Sequence, residues 1–354
     1  MQLKKQFERR LAAALVTPLM LAKSADEVRN CLDAEIPVDA ATRAEYLGMP
    51  AGMTALMFAA SLNRADAVRA LLCAGANSEL TNGDGYTAIH IAAMAKHNET
   101  LEILVSASTR PRLSELAVCG DLNRVRSALS VGSDRDTTEI TLALFVACAT
   151  DHGSVCDALV AIGTPVDIRD AKGRTPLHYA ARYAAPSAAY VLLAAGADPN
   201  ALDQDFNAPL NAIFPGGSAR VAQRLAVVSI LIGAGAQLDA AGTSGWTPLM
   251  TAAFDADVEL IRLLLENGAD PNRFTNTQYY ELYEGCSNTC VLNLALSKKC
   301  AECVDLLLSF GADPTLPNSA GITTQDCVKK WLQRKKISER AMRIALMVGV
   351  TDGR

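Results

Sequence analysis

Four cysteines in the last quarter of the chain have the residue types and spacing of a metal site. Cys286 and Cys290 are separated by three residues, and Cys300 and Cys303 are separated by two. Paired thiolates at such intervals are typical of zinc sites in intracellular proteins. The spacing therefore permits a zinc-binding regulator or enzyme subunit. Dispersed thiols with structural roles are the alternative, and the position of each cysteine within the fold has to decide between them.

Histidines are the other candidates for chemistry, and the sequence contains four: His90, His97, His152 and His178. None belongs to a His-Glu-x-x-His metal motif. The chain also lacks a Gly-x-Ser-x-Gly nucleophile motif, a Gly-x-x-x-x-Gly-Lys phosphate loop and a Gly-x-Gly-x-x-Gly dinucleotide motif. We therefore expect no enzymatic activity, no catalytic residue, no cofactor and no small-molecule substrate.

A four-residue motif recurs along the chain and determines how these residues are arranged. It reads Thr-Ala-Leu-Met at 54–57, Thr-Ala-Ile-His at 87–90, Thr-Pro-Leu-His at 175–178 and Thr-Pro-Leu-Met at 247–250. The first two copies begin 33 residues apart. Self-similarity at this period predicts a stack of repeats, in which each unit buries its apolar face against its neighbours.

Each residue of the repeat has a physical role in a pair of helices. Thr175 can cap a helix, and Pro176 suits the first helical position because no N–H bond is lost there. The apolar segment 191–193 provides the buried stripe of a second helix. Gly196 can adopt the left-handed conformation that ends it, and Asp-Pro-Asn at 198–200 begins a loop.

This order of residues resembles the ankyrin repeat, and the resemblance covers nearly the whole chain. It implies an all-α ankyrin-repeat solenoid of about ten helix-turn-helix units, some degenerate, with hairpin loops and helical caps. The units begin near residues 17, 54, 87, 111, 142, 175, 208, 247, 290 and 323. The predicted regions are an N-terminal capping helix at 1–16, a first block at 17–110, a second block at 111–322 with insertions near 215–220 and 273–289, and a C-terminal capping repeat with a basic tail at 323–354.

The repeat pattern is weakest between residues 105 and 165. The unit at 87 lacks its Gly-Ala ending, and the next unit begins only 24 residues later. This short interval predicts a missing hairpin and a kink or block boundary at about 105–112. The unit at 142 is also degenerate, although it keeps Leu144, Ala147 and Gly163.

The repeat register assigns structural positions to the residues considered above. His90 and His178 occupy the fourth motif position, where the resemblance implies a hydrogen-bonding role in the fold. Cys290 falls at the capping position, Cys300 in the turn between helices, and Cys303 where the second helix buries an apolar residue. We therefore favour structural thiols, with a zinc site near 286–303 as the alternative.

The resemblance also implies the function, because ankyrin arrays bind proteins through hairpin tips and the exposed ends of first helices, which line a concave groove. Aromatic residues and arginine at such positions are favoured in protein interfaces. The alternative is that some of the rings only pack neighbouring hairpins together. The predicted partner-binding residues are Tyr86, Met94, Arg174, Arg182, Tyr183, Phe206, Trp246, Phe254, Tyr279, Tyr280 and Tyr283.

Composition narrows the choice of partner and location. The net charge is -5, which provides no general attraction to nucleic acid or anionic lipid. We find no apolar run long enough to span a membrane. Ten cysteines without a secretory signal indicate reduced thiols and a cytoplasmic location. The basic segment 329–343 is interpreted as the solvated face of the terminal repeat, with nuclear or nucleic-acid association as the alternative.

Overall fold

The computed structural model describes residues 17–42, 51–107, 112–131, 137–213, 221–243, 245–275, 289–318, 321–333 and 345–350. The chain divides into two compact units, Met1–Thr164 and Pro165–Arg354. All the secondary-structure elements within the described residues are helices. Two isolated β-bridges also occur there, between Ala41 and Thr54 and between Phe274 and Cys290. The predicted all-α class is therefore confirmed. The predicted capping helix at 1–16 lies outside the described residues.

Five successive helix pairs make up the described part of the first compact unit. In each pair a first helix is followed, after a short turn, by a second helix. The helices are α1 (Pro18–Leu21), α2 (Ala25–Asp33), α3 (Ala55–Ser61), α4 (Ala65–Cys73), α5 (Ala88–Met94), α6 (Asn98–Ala107), α7 (Leu113–Val118), α8 (Leu122–Val131), α9 (Thr137–Thr150) and α10 (Gly153–Ala161).

The second compact unit continues the same alternation. Its second pair begins with a short 3₁₀ helix, Pro209–Ala212, instead of an α-helix. The α-helices are α11 (Pro176–Arg182), α12 (Pro186–Ala194), α13 (Val221–Gly233), α14 (Pro248–Phe254), α15 (Val258–Glu266), α16 (Val291–Ser297), α17 (Ala301–Ser309) and α18 (Thr324–Gln333).

The recurring motif starts the first helix of a repeat, as the sequence predicts. Thr247 has extended backbone angles, φ -91° and ψ 161°, and its hydroxyl accepts the Met250 N–H at 3.3 Å. Pro248 occupies the first helical position, where its fixed φ suits the helix. In the copy at 175, the backbone N–H of Thr175 donates to Nδ1 of His178 at 3.1 Å. The fourth motif residue therefore completes the helix cap by returning a hydrogen bond to the capping residue.

Second helices end in the conformation that the glycine of each repeat provides. Gly268 follows α15 with φ +95°, a region in which glycine carries no steric penalty. The N–H of Gly268 donates to the Leu265 carbonyl, and the N–H of Ala269 donates to the Leu264 carbonyl, both at 3.0 Å. These two bonds form a Schellman motif, which satisfies carbonyls that the end of the helix would leave unpaired.

Hydrogen bonds from the loop residues join one repeat to the next. The side chain of Asn272 donates to the Gly311 carbonyl at 3.0 Å and accepts the Asp313 N–H at 2.8 Å. Asn200 makes the equivalent pair of bonds to its following repeat. The Asp-Pro-Asn element therefore fixes the spacing of neighbouring repeats through its asparagine.

The degenerate region differs from the predicted register in one respect. The helix of the unit expected to begin near residue 142 starts at Thr137 and is 14 residues long. Helices α6 and α7 are separated only by residues 108–112, which agrees with the predicted loss of a hairpin. Residues 108–111 lie outside the described set, so the proposed block boundary there stays a prediction. The compact units themselves divide at 164 and 165.

The length and hydropathy of the described helices bear on whether any of them could span a membrane. None of them is long and apolar enough to cross a bilayer.

Candidate functional site

Four of the predicted binding residues, Arg174, Arg182, Trp246 and Phe254, line one cleft in the second compact unit. The cleft has a volume of about 680 Å³. Arg174 and Trp246 lie on the hairpin tips that precede α11 and α14, whereas Arg182 and Phe254 are the last residues of these two helices. The structure therefore places two hairpin-tip residues and two helix-end residues around a common space.

The cleft lies where one first helix is shorter than its neighbours. Helices α11 and α14 each have seven residues, but the 3₁₀ helix between them, Pro209–Ala212, has four. Ile213 ends this helix with an extended backbone, φ -61° and ψ 111°. Ala212 and Ile213 line the cleft at this point. The 3₁₀ helix therefore ends before a second turn like those of α11 and α14, and Ile213 lines the cleft instead of continuing the helix.

Two aromatic rings form the apolar wall of the cleft. The Trp246 and Phe254 rings meet edge to face, with centroids 5.6 Å apart and an angle of 80° between their planes. This arrangement is favourable for aromatic pairs. The Nζ atom of Lys298 lies 3.8 Å from the Phe254 ring centroid, within the range of a cation–π contact. Both rings are only partly buried, so they support each other and still face the cleft.

Arg174 is held in place by an ion pair at the edge of the cleft. Its guanidinium lies 2.7 Å from the Asp170 carboxylate and donates to the Tyr179 hydroxyl at 2.9 Å. The guanidinium also lies over the Tyr179 ring, 4.9 Å from its centroid. Burial would raise the pKa of Asp170, but the hydrogen bonds and charge of Arg174 hold it below its usual value. The positive charge of Arg174 is therefore largely balanced inside the protein.

The polar side chains in the middle of the cleft wall also form hydrogen bonds within the protein. Nε2 of His178 lies 3.0 Å from the Asn207 carbonyl, so this nitrogen carries a proton and donates it. Burial lowers the pKa of His178, which keeps the ring neutral. Asn211 donates to the Ala240 carbonyl at 2.7 Å and to the Trp246 carbonyl at 3.1 Å. These groups form hydrogen bonds that join neighbouring repeats.

Charged side chains surround the apolar wall. Lys172 and Arg182 are exposed and belong to the repeat that contains α11. Asp203 and Asp205 belong to the hairpin tip of the next repeat. Asp255 lies next to Phe254, and its pKa is raised chiefly by burial, although the charge of the nearby Lys298 opposes the rise. The cleft therefore has cations on one repeat and carboxylates on the next.

The other predicted binding residues do not line this cleft. Tyr183 stacks on Tyr179, with centroids 6.3 Å apart, and Phe206 is 60% exposed on a hairpin tip with φ +60°. Tyr86 and Met94 are half-buried residues of the first compact unit. Three predicted residues lie outside the described part of the chain: Tyr279, Tyr280 and Tyr283.

Several residues that line the cleft were missed by the sequence analysis. Asp205 lies at the position equivalent to Lys172 in the preceding hairpin, and Asp203 lies at the position equivalent to Asp170, so the repeat register could have found both carboxylates. Ile213 could not be found in this way, because it reaches the cleft only where its helix ends early.

All four histidines are used in the fold. His97 and His152, each just before a second helix, have a ring nitrogen 2.9 Å and 3.0 Å from a backbone carbonyl of the preceding repeat. His90 and His178 complete helix caps through Nδ1. Burial lowers the pKa of His90 to about 3. The predicted hydrogen-bonding role of His90 and His178 in the fold is therefore confirmed.

The cysteines agree with the predicted positions but not with the expectation of wholly reduced thiols. Cys290 precedes α16 as its capping residue, and Cys303 is fully buried. Cys300 and Cys303 form a disulfide, with their Cα atoms 5.3 Å apart. The expectation was wrong for this pair because Cys300 caps α17 and Cys303 lies on its first turn, so capping brings their side chains together. Cys286 lies outside the described residues.

The same pairing bears on the zinc alternative. A zinc ligand has to be a thiolate, and neither sulfur of the disulfide is one. Among the residues that the structure describes, no group of three or more histidine, cysteine, aspartate or glutamate side chains could hold a metal ion.

A comparison with family models identifies the repeats. The model described as "Ankyrin repeats (3 copies)" matches residues 19–115, 113–203 and 218–318, which is well over half of the chain. The chain belongs to the ankyrin-repeat family. The resemblance stated from the motifs is therefore confirmed.

Curated relatives contain similar ankyrin repeats within much longer proteins. The chain is 38% identical over 93 residues to "Ankyrin repeat, SAM and basic leucine zipper domain-containing protein 1" of Carollia perspicillata, which covers 26% of this chain and 18% of the relative. It is 27% identical over 287 residues to "Ankyrin repeat and KH domain-containing protein mask-1" of Caenorhabditis elegans, covering 72% of this chain and 11% of the relative. The chain thus spans less than a fifth of the length of these relatives.

A solved structure supports the same fold. The ankyrin-repeat domain of Bcl-3, described as a unique member of the IkappaB protein family, superimposes with a TM-score of 0.51 and 24% identity. The match covers 67% of this chain and 98% of that domain. At this level of identity the similarity establishes the ankyrin-repeat fold, and the partner of this chain has to be inferred from its own residues.

Proposed function

We propose that this ankyrin-repeat protein is a non-enzymatic adaptor, scaffold, inhibitor or assembly factor that binds a partner protein through the cleft around Trp246 and Phe254. Ankyrin repeats are general protein–protein interaction modules. The observation that carries the proposal is the joining of these two rings with Arg174 and Arg182 around one space. Aromatic residues and arginine that lie together in a pocket are typical of binding hot spots.

The side chains that line the cleft support protein binding better than catalysis. Its central polar groups are used in hydrogen bonds within the fold, as His178 and Asn211 show. A catalytic centre would instead need a nucleophile or a base directed at the substrate. The rigid rings, in contrast, lose little conformational freedom when a partner covers them.

Affinity capture with matched variants tests the proposal. The full chain, a Trp246→Ala/Arg182→Ala variant and a Tyr190→Ala control would be immobilised and exposed to extract from the native cell. Tyr190 is 66% exposed on α12 and does not line the cleft, so its removal controls for general loss of aromatic surface. We expect the double variant to lose the captured partner and the control to keep it, with unchanged helical circular dichroism in both. Equal capture by the double variant would exclude this cleft as the binding site.

We propose a cytoplasmic location, with a nuclear location, which the basic segment 329–343 favours, as the second option. The disulfide between Cys300 and Cys303 does not favour this inference, because disulfides are rare in reducing compartments. Imaging of the tagged full chain tests it. A deletion of the basic segment that abolishes nuclear signal would support the second option.

A further inference from the structure

We propose that the cleft binds one extended segment of the partner, in which a large apolar side chain enters between the repeats and is flanked by one acidic and one basic residue. This inference rests on the proposed function and specifies its ligand. The volume of about 680 Å³ is within the range of pockets that enclose a small ligand or a short peptide segment. It is too small to receive a folded domain, so the partner would contribute a loop or a tail.

The anchor has to be apolar because the polar groups of the wall have partners within the fold. Tyr179 donates to Asp170 at 3.0 Å and accepts from Arg174, while Asn211 is bound to two backbone carbonyls. A polar anchor would lose its bonds to water and would gain few in return. The exposed faces that are left for a ligand are the Trp246 and Phe254 rings and the aliphatic lining beside them.

The flanking residues follow from the charges around the rings. Lys172 and Arg182 place positive charge on the repeat of α11, and Asp203 and Asp205 place negative charge on the next hairpin tip. The two tips are adjacent, since the Gln204 N–H donates to the Lys172 carbonyl at 3.0 Å. A segment that crosses from one repeat to the next therefore meets both signs of charge. A mixed-charge segment complements this surface better than a uniformly acidic or basic one.

The ion pairs within the protein argue against a ligand that binds by charge alone, such as a small anion. Arg174 is balanced by Asp170, and Asp255 is near Lys298. The cations that face the cleft are consequently matched by a similar number of carboxylates. An anion such as phosphate would be repelled by Asp203 and Asp205 as it approached Lys172. Selectivity must therefore come from apolar contact together with both flanking charges.

A displayed library of random seven-residue peptides tests the proposal directly. The library would be selected on the immobilised full chain, with removal of peptides that also bind the Trp246→Ala variant. We expect the surviving peptides to share one large apolar residue with an acidic and a basic neighbour. Enrichment of uniformly acidic or basic peptides, or of no peptides, would overturn the inference.

Reversal of one charge at the edge of the cleft, at Asp205, provides the second measurement. One selected peptide, labelled with fluorescein, would be titrated with the full chain and with the Asp205→Lys variant, whose exposed position leaves the fold intact. Replacing the apolar residue of the peptide by glycine should weaken binding about tenfold or more, since burial of one such side chain contributes about 1.5–3 kcal/mol. The Asp205→Lys variant should bind about two- to fivefold more weakly, and a peptide with its basic residue changed to glutamate should recover the loss.

Insensitivity of binding to both changes would overturn the mixed-charge ligand. That outcome differs from failure of the proposed function. If the Trp246→Ala/Arg182→Ala variant still captures the native partner, the cleft is not the interface at all. If that variant loses the partner while no mixed-charge peptide binds, the cleft is the interface but its ligand has another chemistry.

Discussion

Asn211 makes in its repeat the same two hydrogen bonds that His178 makes in the preceding repeat. Each side chain accepts an N–H from the residue that starts its own helix, at 3.2 Å for Asn211 and 3.1 Å for His178. Each then donates to the carbonyl at the next hairpin tip, at 3.1 Å to Trp246 and at 3.0 Å to Asn207. An amide can therefore replace imidazole at this repeat position without a titratable group.

This equivalence leads to a prediction about acid stability. Burial lowers the pKa of His90 to about 3 and also lowers the pKa of His152 and His178. At a pH below about 6.5 the unfolded chain binds protons at these sites more readily than the folded chain, so the free energy of unfolding should fall. The loss should continue as the pH approaches the folded pKa of each residue. Urea unfolding followed by circular dichroism, at neutral pH and at about pH 5, measures it.

The His178→Asn variant isolates one of these sites. Because Asn211 shows that the amide fits, we expect its free energy of unfolding at neutral pH to stay within about 1 kcal/mol of the wild type. Its loss of stability upon acidification should be smaller than that of the wild type. An equal loss in the two proteins would mean that protonation of His178 does not contribute.

A second prediction concerns the ion pair between Arg224 and Asp257, whose side chains are 7% and 12% exposed. Asp257 also caps α15 by accepting the Leu260 N–H at 3.2 Å. The Asp257→Ala change should lower the free energy of unfolding by about 3–5 kcal/mol, because the buried Arg224 would lose its ion pair with Asp257 and α15 would lose its cap. The Lys329→Ala change removes the exposed ion pair with Asp326 and should change the free energy of unfolding by less than about 1 kcal/mol. Similar effects of both changes in urea unfolding would contradict the prediction.

Glu115 provides a prediction of the opposite sign. This residue is 1% exposed and accepts the Arg112 N–H and the Thr87 hydroxyl, both at 3.0 Å. Burial raises the pKa of Glu115 more than these bonds lower it, so stability falls as the pH rises through the folded pKa. Glu115→Gln should therefore raise the free energy of unfolding by about 0.5–1 kcal/mol at neutral pH. The gain should shrink toward about pH 4, where the carboxyl is protonated.

The exposed Glu102→Gln change on α6 serves as the control for Glu115. It removes the same charge from the same compact unit without a buried carboxylate. Thermal unfolding of the two variants at both pH values measures the difference. A gain of equal size in the control would show that net charge, and not burial of Glu115, is responsible.

The disulfide leads to a prediction about thiol reactivity. When the protein is unfolded in the presence of iodoacetamide but without reductant, Cys300 and Cys303 should stay unmodified. When the protein is reduced first, iodoacetamide should alkylate both cysteines. Cys148 and Cys156 are the internal control, since their sulfur atoms are 3.6 Å apart but not bonded. Peptide mapping by mass spectrometry identifies the sites. Alkylation of Cys300 and Cys303 without reductant would contradict the disulfide.

The fold could be predicted from the sequence because the repeat has a local physical meaning at most of its positions. The Thr-Pro start of α14 and the glycine that follows α15 each specify a helix end through the adjacent backbone. The prediction was weakest for α9, which begins at Thr137 and not near 142. No capping threonine-proline pair stands there, so the sequence contained no signal for where the helix starts.

The cleft could be predicted only in part, since its residues come from three repeats. Arg174, Trp246 and Phe254 were found because the register marks tips and helix ends. Ile213 was missed because its exposure depends on the early end of its helix, which is a property of the neighbouring backbone. The bond between Cys300 and Cys303 was missed because spacing alone does not separate a metal pair from a disulfide.

The four-residue helix Pro209–Ala212 has a consequence for how recognition sites can arise in proteins of this kind. Its neighbours α11 and α14 keep their full length and their own caps. A cleft can therefore form where one first helix is shortened, while the first helices on either side keep seven residues each. Variation in the length of single first helices would therefore change the depth of the binding surface, and it would also reduce packing against a neighbouring first helix, as it does between Pro209–Ala212 and α14.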